Sequence, residues 1–389
     1  MSLIRCVSAG TYSEGSARLP NVRCLHRSAR LTIRREHVWY QLKVHVTPIL
    51  NITCMNEKIT LSHGSGGRQT HDLIHSVFAK HFGMKQPMTD SALLAVPSEM
   101  IAFTTDSYVV NPIFFPGGNI GKLAICGTVN DLAVSGADPA YIAASFIIEE
   151  GFEISDLERI AASMADEAET AGIKIMTGDT KVVEKGHCDR IFITTSGVGI
   201  LRNDHSHISS GAHIKAGDRL IINGPPGNHE VTIIASRRQL AFDVPLTSDC
   251  ASLNHLIKKV LDQSPGVHFM RDLTRGGLAA ALNELAGMIS CGIMIDEALV
   301  PFEEPVRGLC EILGFDPLTL ASEGRVVIAA AADEAQKILN VMRSDPAGRD
   351  SSVIGEITAE KPGRVIVKSS TGGRRFLDMP SGLLLPRIC

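Results

Sequence analysis

Residues 104–139 read TTDSYVVNPIFFPGGNIGKLAICGTVNDLAVSGADP. The apolar run 101–105 (IAFTT) leads into them and ends on Asp106, the pattern of a strand that delivers a carboxylate at its end. Residues 122–135 space Leu123, Ile125, Val129, Leu132 and Ala133 as a helix does, and carry Asn130 and Asp131. The link PGGNIGK (116–122) could turn backbone N–H groups and Lys122 towards an anion, although a plain turn accounts for it as well. It is not a Walker A loop, because Pro116 and Leu123 stand where Gly and Ser or Thr are required, and the Rossmann pattern is also absent.

Working outwards, Ser155 and Glu158 form a capping-box signature ahead of a helix with Leu157, Ile160, Ala161, Met164, Ala165 and Ala168 on one face, stopped by Gly172. Strands are predicted at 173–176 and 191–198. The second half repeats the scheme, with strands at 219–223, 325–331 and 364–367 and helices at 278–288 and 332–342. The boundary falls near 205–215. The expected organisation is a basic extension (1–54), a first domain (55–205), a second (212–375) and a mobile tail (376–389) whose Pro380, Gly382 and Pro386 break any period.

The chain has 389 residues, enough for two or three domains, and 44% hydrophobic residues exclude a disordered protein. A net charge of -4 argues against a nucleic-acid binder, and no apolar run is long enough for a membrane span. Nine cysteines without a C-x-x-C pair suit a reducing, cytoplasmic setting rather than a zinc or disulfide framework. Residues 1–54 carry eight Lys and Arg against Glu14 and Glu36, a charge of +6 that leaves -10 for the rest. This leader shows no clear period before the apolar run at 44–52. It reads as disordered or as translated upstream of a start at Met55 rather than as a transit peptide.

Asp106, Asp131 and Asp179, the last at the end of another apolar run, form a set of carboxylates that could hold Mg²⁺ with nucleotide phosphates. Each alone is equally a turn or capping residue. His63-Gly64-Ser-Gly66-Gly67 precedes a predicted helix and could face an anion. Cys389 is the last residue, too late for prenylation, and could carry its thiol on a swinging arm.

Six segments together resemble the HypE family of [NiFe]-hydrogenase maturation factors: HGSGGR (63–68), the opening 104–139, TGDTKVV (177–183), RDLTRGGL (271–278), SEGRVVI (322–328) and the terminal PRIC (386–389). The resemblance spans 55–389, and the PRIC end separates the chain from related synthetases and kinases. It implies an α+β, mixed α/β, two-domain PurM-like fold. In that fold the N-terminal domains pair into a dimeric β-barrel, followed by an α/β domain and a flexible tail.

It also implies a homodimer that works with the carbamoyltransferase HypF and the HypC–HypD complex. In this family the terminal Cys receives a carbamoyl group, and ATP-dependent dehydration of the S-carboxamide gives an S-cyanate whose cyanide goes to the hydrogenase iron. Oxide is a poor leaving group, so phosphorylating the carboxamide oxygen is what makes water loss feasible, and two amide protons must be accepted nearby. The resemblance makes Cys389 the modified thiol and Lys181 and Glu323 the proton-transfer candidates. His63, Gly64, Gly66, Gly67, Asp106, Lys122, Asn130, Asp131 and Asp179 become ATP contacts, with Mg²⁺ on Asp106, Asp131 and Asp179. Asp272 and Arg275 are candidates for shaping the tail channel.

One departure stands out. Gly227-Asn-His-Glu230 sits where the family pattern has Gly-Asp-His-Gly, which puts a ligand role for that turn in doubt. The alternative is a PurM-like ATP-dependent small-molecule synthetase or kinase, indifferent to loss of Cys389.

Overall fold

The computed structural model describes residues 30–35, 38–43, 58–60, 63, 72–83, 100–238, 240, 246–369, 371–380 and 387–389. Residues 1–55 and 56–389 form separate units. In the first, β1 (Arg30–Arg35) pairs antiparallel with β2 (Val38–Lys43), strands that the residue pattern did not announce; the apolar run at 44–52 lies outside the described residues.

In the second unit the opening stretch builds β3 (Ile101–Tyr108), the short pair β4 (Phe114–Phe115) and β5 (Gly118–Asn119), and helix α1 (Ile120–Val134). Then come β6 (Ala137–Glu149), α2 (Ile154–Ala171), β7 (Lys174–Val183) and β8 (Ile191–Leu201). The four long strands form one sheet in the order β3-β8-β6-β7, parallel only between β6 and β7. Along β3 the even-numbered residues turn inwards and the odd-numbered ones outwards, as a period of two demands. Helix α1 is buried on nearly every side, because it packs on the sheet, on α2 and on elements of the following half. Gly172, at φ 71°, ends α2 as predicted, but the capping box does not form: the N-cap is Glu153, with no side-chain cap.

The expected closure into a β-barrel is not found. β3 and β7 are edge strands with one neighbour each, so the four-stranded sheet stays open, and four strands are too few to close around a filled interior.

The following half contributes β9 (Arg219–Ile222), α3 (Asn228–Arg238), α4 (Asn254–Gln263), β10 (Val267–Asp272), α5 (Gly277–Met288) and β11 (Gly292–Asp296). It continues with α6 (Glu304–Leu313), β12 (Val326–Ala330), α7 (Ala335–Arg343), β13 (Ser352–Thr358), β14 (Val365–Lys368) and β15 (Arg374–Leu377). Their sheet runs β10-β12-β9-β13-β11-β14-β15 and is also open. Predicted elements at 219–223, 278–288, 325–331 and 364–367 all appear within a residue or two, while α3 was not anticipated. The tail, expected to be mobile, ends in a seat: Ile388 is 6% exposed and belongs to the core formed by α1, α2 and the first sheet. Among the described residues no helix is long and apolar enough to cross a membrane.

Candidate functional site

The chain's last residues lie along the extension of β3. Asn111 N–H donates to the Arg387 carbonyl at 3.1 Å, and Val109 N–H to the Cys389 terminal oxygen at 3.2 Å. This backbone pairing brings the thiol to the junction of the two sheets, where Arg275 Nη2 approaches Cys389 Sγ at 3.7 Å. Burial, reinforced by Glu323, pushes the thiol up to about 12, with Arg275 opposing. The seated sulfur is therefore kept uncharged, a setting suited to a neutral carbamoylated sulfur and poor for a nucleophilic thiolate.

Glu323 is 2% exposed, and its Oε1 has no hydrogen-bond partner. Burial first, then the charges of Cys250 and Asp272, raise it well above the usual carboxylate range. Its backbone N–H is held by Asp249 Oδ1 at 2.9 Å. An unpartnered carboxyl of high proton affinity is a fitting acceptor for an amide proton.

Asp106 from β3, Asp131 from α1 and Asp272 from the end of β10 converge on the same junction. Burial and then Asp131 raise Asp106 to about 6, and burial and then Asp131 raise Asp272 to about 7. Thr104 Oγ1 donates to Asp131 Oδ2 at 2.8 Å. Two carboxyls raised by burial and by the charge of Asp131 mark a place where a cation would be welcome. No group of three His, Cys, Asp or Glu among the described residues is placed to hold a metal ion by itself. Mg²⁺, however, takes only one or two carboxylates and fills its shell with phosphate and water oxygens, and Asp106 with Asp131 fits that demand.

Asp179 and Lys181 are not brought to this cluster. The register runs Asp106, Thr195, Ala144, Gly178 across the sheet, whereas Asp179 lies on the line of Ser107, Thr194 and Ser145. Asp179 thus stands on the opposite edge, three strand spacings or about 14 Å away, and on the opposite face. There it pairs with Lys181 Nζ at 2.9 Å, and that hydrogen bond lowers its pKa.

The glycine turn has a structural task. Gly117, at φ 93°, passes so close to the 247–248 backbone that a Cβ would lie 2.8 Å from Ser248 O. Asn119 Oδ1 accepts from Gly121 N and Lys122 N, so the first amides of α1 are already taken, and Lys122 Nζ donates to Gly117 O at 3.3 Å. Asn130 is spent as a brace, donating to Ala251 O at 3.0 Å and accepting from Leu253 N at 2.8 Å. His63 bonds Thr60 through Nδ1 in a local turn; Gly64, Gly66 and Gly67 lie outside the described residues. The 227–230 turn proves benign. Only Gly227 has positive φ, Asn228 donates to Glu303 Oε1 at 2.9 Å, and Glu230 Oε2 accepts from Ala321 N at 2.7 Å.

Residue patterns missed Asp249, because a lone aspartate in the loop before α4 carries no spacing signal. They left Asp272 and Arg275 as mere channel candidates, because only folding brings the RDLTR segment against Cys389.

Residues 88–201 match the N-terminal domain of the AIR synthase related proteins, and residues 215–368 match the C-terminal domain. The carbamoyl dehydratase HypE of Rhodobacter capsulatus is 50% identical over 338 residues, 86% of this chain and 99% of that protein. The chain belongs to the HypE family of carbamoyl dehydratases. A HypE solved in complex with ATP superimposes with a TM-score of 0.80 at 42% identity, covering 85% of this chain and 99% of that one. A HypE–HypF complex gives 0.69 at 45% identity, covering 79% and 99%. The two domain matches are separated by the loops between β8 and β9.

Proposed function

We infer that this chain is an ATP-dependent carbamoyl-Cys dehydratase that acts on its own Cys389 and provides a cyanide ligand for the iron of [NiFe] hydrogenase. The observation that carries this reading is the seating of the terminal thiol against Arg275 and within the field of Glu323, whose Oε1 is unpartnered, and of Asp106. ATP, when bound, supplies the phosphoryl group that turns the carboxamide oxygen into a leaving group. The chain's own residues do the rest. The backbone pairing at Val109 and Asn111 orients the tail, the core around Ile388 excludes water, and Arg275 holds the sulfur. Glu323 takes an amide proton, its high proton affinity matched to a weakly acidic N–H.

Asp106 and Asp131, with Asp272 behind them, are the residues that would hold Mg²⁺ against the phosphates. Residues 55–205 provide the nucleotide side of the site, 212–375 provide Glu323 and Arg275, and 376–389 is the tail. The partners we propose are HypF, which carbamoylates the tail, as the relative solved with HypF suggests, and the HypC–HypD complex, which takes the cyanide, all in the cytoplasm. We further propose a homodimer through the open face of the first sheet. Phe103, Ile101 and Ile147, 67%, 50% and 43% exposed, lie on that face, Ile147 next to Lys181, and Asp179 and Lys181 would then act at the subunit interface.

Intact-protein mass spectrometry after incubation with HypF, carbamoyl phosphate and Mg²⁺–ATP tests the reading. The carbamoyl adduct loses one water in the wild type, Cys389→Ala stays bare, and Glu323→Gln accumulates the adduct without losing water. An adduct on Cys389→Ala, or water loss undiminished in Glu323→Gln, would sink the assignment.

A further inference from the structure

Helix α3 touches the tail at both of its ends. From its first turn, the wholly buried His229 places Nε2 2.9 Å from the Ile388 carbonyl and Nδ1 2.7 Å from Ser248 Oγ. A carbonyl can only accept, so Nε2 carries the proton and Nδ1 accepts the Ser248 hydroxyl hydrogen. The same hydroxyl oxygen accepts from Cys250 N–H at 3.1 Å, which leaves its hydrogen free to point at the ring. Phe115 meets the imidazole edge-on at 5.4 Å and fixes its plane. Burial lowers the pKa of His229 and keeps the ring neutral, in keeping with this tautomer. From the last turn, the Arg237 guanidinium donates to the carbonyls of Arg387 and Asn111 and so ties the tail to the strand extension beside it. The Arg387 side chain is paired outwards with Asp189.

We infer that α3 is a latch for the modified tail: His229 and Arg237 are positioning residues that hold the Ile388 and Arg387 carbonyls and set how long Cys389 stays beside Glu323 rather than within reach of a carbamoyl donor. Both grips are on backbone carbonyls, so they work equally whether the sulfur carries hydrogen, carbamoyl or cyanate. The inference rests on Cys389 being the group that shuttles. It makes the two half-reactions respond in opposite directions. A weaker latch exposes the thiol for carbamoylation and shortens the stay in which water is lost. A residue needed only for folding would depress both together.

The test compares wild type, His229→Ala, His229→Gln and Arg237→Ala. The first readout is iodoacetamide labelling of Cys389 followed by peptide mass spectrometry, which needs no dehydratase activity. It therefore stands even if the functional reading fails. The buried Cys310 serves as an internal monitor of general unfolding. Loss of one carbonyl grip is expected to raise the Cys389 labelling rate about tenfold while Cys310 stays slow. His229→Gln keeps an N–H donor for the Ile388 carbonyl and is expected to restore slow labelling. The second readout separates the half-reactions: carbamoylation by HypF at least as fast as in wild type, and slower single-turnover water loss from the carbamoylated protein. Labelling of Cys389 at the wild-type rate in both alanine variants overturns the latch, as does carbamoylation falling in step with water loss. If His229→Ala exposes Cys310 and so unfolds, Arg237→Ala decides by the same two readouts.

Discussion

Asp272 shows how a single side chain reports on the site. Burial and the neighbouring Asp131 lift it to about 7, against an unfolded value near 4. Between those pH values the folded chain holds a proton that the unfolded chain has released, so stability falls as pH rises through this window. Asp272→Asn removes that term. In a metal-free, nucleotide-free buffer at pH 8 its urea midpoint is expected to rise, by up to about 4 kcal/mol of stability, while at pH 4 the two proteins coincide. Equal midpoints at both pH values would show that the carboxyl is not strained. The same substitution is expected to weaken Mg²⁺–nucleotide binding, the trade of stability for function that crowded carboxyls imply. Glu323 belongs to the same logic: buried, with its Oε1 unpartnered and its proton affinity raised by burial, it is costly to the fold and useful to the chemistry.

At the scale of elements, α1 is the part on which the site depends. It carries Asp131, it is capped by Asn119 at the end of the glycine turn, and Asn130 braces it to the 251–253 loop. Its approach to α2 is closer than a side chain allows: a Cβ on Gly121 would lie 2.5 Å from Ile160 O and 2.9 Å from Met164 Cγ. Gly121→Val is therefore expected to push the two helices apart at a cost of about 2–3 kcal/mol. Chemical denaturation would show this, and nucleotide affinity should fall with it as Asp131 moves away from Asp106. A variant as stable as wild type would mean that the helix pair has slack its close contact does not suggest.

For the whole molecule, the open face of the four-stranded sheet matters most. Edge and face together separate Asp179 and Lys181 from the carboxyl cluster within one chain, while Phe103, Ile101 and Ile147 lie uncovered on the same face as Asp179 and Lys181. A self-complementary apolar face of this kind suits an isologous dimer. Phe103→Asp, at a position 67% exposed, is expected to change unfolding of the isolated chain by no more than about 0.5 kcal/mol. In sedimentation velocity it should shift the protein from dimer to monomer and slow water loss. Unchanged sedimentation would remove this face from consideration.

The sequence by itself determined several of the elements and some of the chemistry they carry. The period of 122–135 announced α1, the apolar run at 101–105 announced β3, and the PRIC ending with Cys389 carried the family resemblance that implied the reaction. These signals are local, written in spacing along a few residues, and survive without knowledge of the fold. Only tertiary structure decided which carboxylates share a site. Asp106, Asp131 and Asp179 look alike in sequence, yet strand order sends Asp179 to the far edge and far face, and Asp272 takes a place in the cluster from a distant strand. It likewise decided that the sheet stays open, that Asn130 is a brace, and that the tail's end is gripped by a helix no pattern predicted. The reason is physical: charge interaction and hydrogen bonding depend on distance in space, and strand order and facing, which set that distance, are fixed by packing between segments remote in the chain.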